Sequence, residues 1–145
     1  MKLLTAVLLT AYFAPLTFAE DKKPTKALQG EWKVVSFTVT AMDLPKEETD
    51  KMKVTVKDGI LTLKSAKTEK SLDITLTLDP KAKPATVDLT WVEGGQEATV
   101  PGIYKVEKDK LTICYEHNSA GKRPKEFKSD DGGRTVLLVL ERVKK

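Results

Sequence analysis

The chain of 145 residues carries 25 Lys and Arg against 21 Asp and Glu, a formal net charge of +4. That excess is spread along the sequence, whereas nucleic-acid binders gather their cations on one face or helix, so nucleic acid is excluded as a partner class. A single Cys excludes an intramolecular disulfide, and a hydrophobic core must hold the fold alone.

Residues 1–19 have the make-up of a secretory signal. Met1-Lys2 is positive, Leu3 to Phe18 is apolar apart from Thr and Pro15, and Thr17-Phe18-Ala19 ends in the small residue that a signal peptidase reads. Cleavage is predicted after Ala19. Pro15 interrupts the apolar run, which falls short of the ~20 residues that cross a bilayer, so no integral span is expected after signal removal. Losing Lys2 leaves 24 basic against 21 acidic residues, a net +3. The expectation is an exported protein, periplasmic or extracellular. A charged, Pro-containing flexible lead (residues 20–27) precedes one domain (residues 28–145), long enough for a single core.

The first strand is read from Leu28 to Phe37, Leu28-Gln29-Gly30-Glu31-Trp32-Lys33-Val34-Val35-Ser36-Phe37. Side chains alternate across a strand, so Trp32 and Val34 point one way while Val35, Phe37 and Val39 point the other, and both faces are expected to be covered. Gly30, two residues before the indole, lets a backbone or a flat side chain approach closely. Leu44-Pro45-Lys46-Glu47-Glu48 predicts a short helical turn lying across one mouth of the barrel, with Pro45 at its first position.

Three hairpins follow. Asp58-Gly59 is a two-residue turn signal between alternating runs, and the register places Val56 against Leu61, Val54 against Leu63 and Thr55 against Thr62. Leu72, Ile74, Leu76 and Leu78 form one apolar face, the prolines of Asp79 to Pro84 make a turn, and Val87, Leu89 and Trp91 line the returning strand. Glu93 to Gln96 and Pro101-Gly102 read as looser connections. From Gly102 to Glu116 a third hairpin sets Glu107 against Lys110, Val106 against Leu111, Tyr104 against Ile113 and Ile103 beside Cys114. Glu126-Phe127-Lys128 reads as a short strand, Asp130-Asp131-Gly132-Gly133 as a turn, and Arg134 to Val143 as a last strand that pairs with the first. The fold class is all-β: a single antiparallel up-and-down β-barrel of about eight strands, with the helical turn between the first two.

Gly30-Glu31-Trp32 together with Arg142 near the end of the last strand resembles the lipocalin signature, although the later Thr-Asp-x-x-Tyr motif is absent. The resemblance implies that Arg142 stacks on Trp32 to seal the closed end. Leu28 to Ser36, Asp79-Pro80 with Lys83-Pro84, Gly102-Ile103-Tyr104, Leu111-Thr112-Ile113-Cys114 and Arg123 to Phe127 resemble an exported lipocalin-like family of bacterial, planctomycete-type proteins. That resemblance implies barrel and export, and brings no catalytic residues with it.

Candidate sites are few. Cys114 in mid-strand reads as a buried apolar residue, and His117, three positions on, projects to the opposite face, so the two make no nucleophilic pair. One His and one Cys do not make a zinc site, and Asp130 to Gly133 lacks the Glu of a calcium loop. Asp73, Asp79 and Asp88 read as solvated surface. No cofactor, metal or catalytic set is implied. Arg123 beside Pro124 is expected to pin its loop over the barrel end through backbone carbonyls, or else to bind an anion. Val54, Leu63, Leu76, Trp91, Tyr104 and Ile113 are expected to line the interior, where an eight-stranded barrel either is filled or holds one small ligand. The functional expectation is a lipocalin-like interaction module acting through its surface or loops on a partner such as an envelope protein; the alternative is a small apolar ligand inside the barrel.

Overall fold

Asp58 and Gly59 turn the chain at positive φ, 50° and 83°. Such a turn matches the twist of the flanking strands. They join β3 (Lys53–Lys57) to β4 (Ile60–Ser65) in the register expected, Val56 with Leu61 and Val54 with Leu63. The computed structural model describes residues 26–65, 67–130, 132 and 134–145. The expected signal and most of the expected lead (residues 1–25) lie outside these. Within them the remaining strands are β1 (Gly30–Val39), β2 (Met42–Asp43), β5 (Thr68–Asp79), β6 (Thr86–Glu93), β7 (Gln96–Glu107), β8 (Lys110–Glu116) and β9 (Thr135–Arg142). From β3 to β9 each strand bonds to the next in antiparallel order; β1 pairs with both β3 and β9, which closes an eight-stranded barrel, and β2 is a short extra strand on β1.

The first strand departs from a plain alternation. Its pairing with β9 slips between Val34 and Ser36, so Val34 faces Leu140 but Phe37 faces Leu138. This β-bulge inserts one residue and reverses the side-chain phase beyond it. Trp32 and Val34 before it, and Phe37 after it, all join the interior, while Val35 is left 47% exposed. The two-faced pattern in the sequence thus records a change of phase, not a strand covered on both sides.

Inward residues of all eight strands fill the barrel. Val54, Val56, Leu61, Leu76, Leu78, Val87, Leu89, Val100, Leu111, Ile113 and Leu140 each retain at most 4% of their surface. At the closed end Trp32 is 1% exposed and donates its indole N–H to Leu28 O at 3.0 Å. Arg142 stacks on the indole at 4.3 Å and donates to Gln29 O and Ala27 O. Gly30 has φ +125°, and a Cβ there would meet Arg142 Nη1 at 2.9 Å, so a glycine makes room for the guanidinium. A 3₁₀ turn (Lys26–Leu28), closed by Gln29 N donating to Lys26 O, includes the last two residues of the segment expected to be a flexible lead.

Two further expectations are corrected, and the short helix forms where it was expected. Pro101-Gly102 lies within β7, with Pro101 facing outward opposite Asp88 and Gly102 packed against Tyr115, where a Cβ would come within 2.9 Å. Glu126–Lys128 forms no strand. The helix α1 (Lys46–Thr49) follows Pro45, whose carbonyl accepts from Glu48 N and Thr49 N, and it leans on β1.

Trp32 is the largest side chain among the fully buried ones, so emptying its site removes more contact than any other truncation in the barrel. Trp32→Ala is expected to lower unfolding free energy by about 3–5 kcal/mol in urea titration. A loss below about 1 kcal/mol would contradict the role of the indole as plug.

Candidate functional site

Apolar alternation carries on to the strand ends at the end of the barrel away from Trp32, where fewer neighbours remain to cover it. Leu72 and Ile74 of β5, Leu89 and Trp91 of β6 and Tyr115 of β8 border an apolar recess of about 280 Å³. Val92, Glu93 and His117 complete its rim. Leu72 is 39% and Val92 64% exposed, whereas Leu89, deeper in the same wall, is 2% exposed. The recess is therefore an opening that ends on packed core. Helix α1 contributes no wall to it; Glu47 and Glu48 instead border a smaller polar cleft with Lys51, Met52, Ser65 and Lys67.

Val54, Leu63, Leu76, Tyr104 and Ile113 all join the barrel core and do not border the recess. Trp91, half-buried, does. Leu72, Ile74 and Leu89 were legible as inward residues, but Val92, Glu93 and His117 were missed. The available signal was positional: Val92 and Glu93 end β6 beside the Gly94-Gly95 turn, and His117 follows the last residue of β8.

On the outer wall the segment from Arg123 to Ser129 lies back over β6 to β9. Arg123 Nη1 donates to Gly102 O at 2.6 Å and Val87 O at 3.1 Å, and Nη2 pairs with Asp88 at 2.7 Å. Arg123 is thus a loop anchor, on the barrel wall instead of its end, and its guanidinium is already occupied by two carbonyls and a carboxylate. Phe127 sits under Lys105, with the ammonium 4.9 Å from the ring centroid. Ser129 bridges Ala41 N and Thr135 O. Beneath this strap Ile103 and Cys114 form a small apolar layer outside the main core, at 1% and 0% exposure.

Cys114 Sγ contacts Lys128 O at 3.6 Å, and burial pushes its thiol up to about 11 despite that contact. His117 lines the recess on the other face of the sheet, so the two side chains do not meet. Burial likewise pushes the Tyr115 phenol up to about 12, and it raises Tyr104, to which the Asp79 charge adds. Among the described residues no group of three His, Cys, Asp or Glu could hold a metal ion, and no helix is long and apolar enough to cross a membrane.

No family model, curated protein or solved structure matches this chain.

The buried thiol sets a pH dependence. Its folded pKa lies above the unfolded value of 9.0, so the fold favours the neutral thiol, and that stability is complete below pH 9 and is lost as pH rises toward about 11. Alkylation of Cys114 by iodoacetamide is expected to be slow at neutral pH and in native buffer, and to reach the rate of a free thiol only on unfolding. A free-thiol rate in the native protein at neutral pH would contradict the strap.

Proposed function

We propose that this chain is an exported, lipocalin-like binding module, not an enzyme, and that it acts at the open end of a filled barrel by receiving a small apolar group. The observation that carries the reading is the recess bounded by Leu72, Ile74, Leu89, Trp91 and Tyr115. An apolar cleft with a polar rim is the form that small-molecule sites take, and about 280 Å³ is just under their usual ~300–1,000 Å³. A ring or a short alkyl chain fits that space. The packed interior supports this reading over a ligand housed deep in the barrel, because Val54, Leu76 and Ile113 already occupy that volume. Such a group is presented equally well by a free small molecule or by an envelope protein that places one side chain in the opening. The stacked Trp32 and Arg142 beside Gly30 support the lipocalin-like assignment.

A neutral apolar dye such as N-phenyl-1-naphthylamine is expected to bind saturably, one per chain. Ile74→Glu should weaken that uptake by about tenfold or more, the cost of placing a charge in an apolar wall. No saturable uptake, or uptake indifferent to Ile74→Glu, would contradict the assignment.

Export is supported by the positive start, apolar run and Thr17-Phe18-Ala19 of the first segment. N-terminal sequencing of the protein from its native host is expected to begin at Glu20. A start at Met1 in protein recovered from the cell interior would count against export.

A further inference from the structure

We infer that the recess selects a cationic amphiphile, a short alkyl chain or ring carrying a substituted ammonium group; this rests on the recess being the binding point. Its walls are of two kinds. Leu72, Ile74 and Leu89 offer only aliphatic surface, whereas Trp91 and Tyr115 add aromatic rings and Glu93 adds a carboxylate at the rim. Aromatic faces attract cations through their quadrupole, and an ammonium sheds its water more readily when substituted with alkyl groups.

The charges around the opening point the same way. Glu93 and Gln96 pair across the β6–β7 turn, and Glu97 stands opposite the exposed Val92. Neither Glu93 nor Glu97 has a cationic partner among the described residues. Some carboxylates elsewhere do find one, as Glu141 meets Lys33, Asp88 meets Arg123 and Asp109 meets Lys144, and others such as Glu31 and Glu47 do not among the described residues; what sets Glu93 apart is its place on the rim of an apolar opening. In a chain with more cations than anions, this hairpin keeps uncompensated negative charge beside an apolar opening. No Lys or Arg lines the recess, and His117 is its one basic side chain. An anionic head group would meet Glu93 with no Lys or Arg in the wall to pair with. A cationic head meets a carboxylate and two aromatic rings, while its tail takes the aliphatic side.

The test compares ligands with one tail and three heads. Octyltrimethylammonium, octanol and octyl sulfate, each kept below micelle formation, are titrated into the mature chain while Trp91 fluorescence is followed, with Trp91→Phe identifying the signal from Trp32. The ammonium is expected to bind about tenfold more tightly than octanol and the sulfate more weakly than either. Glu93→Gln is expected to bring the ammonium and alcohol affinities together. Equal binding of all three heads, tighter binding of the sulfate, or an ammonium preference that survives Glu93→Gln would overturn the inference while leaving the recess as a binding point. Failure of every octyl compound to bind would overturn both.

Discussion

The antiparallel pairing of β1 with β9 is the constraint on which the rest depends. Without it the sheet would have two open edges, each a row of unpaired N–H and C=O groups. It joins residues more than a hundred positions apart, Trp32 with Arg142 and Phe37 with Leu138, and so must be held by something stronger than local turn preference. Two devices do this. The bulge at Val35 turns the apolar residues on both sides of it into the same interior, and the guanidinium of Arg142 closes over the indole while bonding carbonyls of the approaching chain. The cation–π contact contributes roughly 0.5–2 kcal/mol. The carbonyl bonds add the entry segment to the same unit, so the closed end is a lock made from both ends of the domain.

Filling the interior determines where chemistry remains possible. An eight-stranded barrel is narrow enough for its own side chains to occupy, and here the inward Val, Leu and Ile rows leave no room at mid-height. Free space appears where the rows run out. The open end therefore combines exposed apolar strand ends with the polar tips of hairpins, and the outer wall is closed off by the strap that Arg123 holds down. Site and strap use opposite faces of β8, with Tyr115 turned to the recess and Cys114 turned to the strap.

Hairpins were the most legible part of the chain. Asp58-Gly59 and the alternating runs around it specify one register, as do Glu107 and Lys110 around the next tight turn, because turn chemistry and apolar parity are both local. What escaped sequence reading depended on distant partners. The bulge in β1 shows as a double apolar pattern, which two-sided burial explains equally well until β9 is seen to shift by one residue. Pro101-Gly102 looks like a break, yet Gly102 is required by Tyr115 and Cys114 on the neighbouring strand. Phe127 looked like a strand residue and is instead a loop anchor under Lys105. The recess was partly legible: inward Trp91 was evident, but which inward residues reach the open end depends on strand lengths and shear.

Native-state hydrogen exchange of the backbone amides tests the closed barrel most directly. The account predicts that amides of β1 bonded to β9, around Phe37 and Leu138, exchange only through global opening and at the same free energy as those of β8. Exchange of both terminal strands at rates typical of unpaired sheet edges, with β8 still protected, would contradict it.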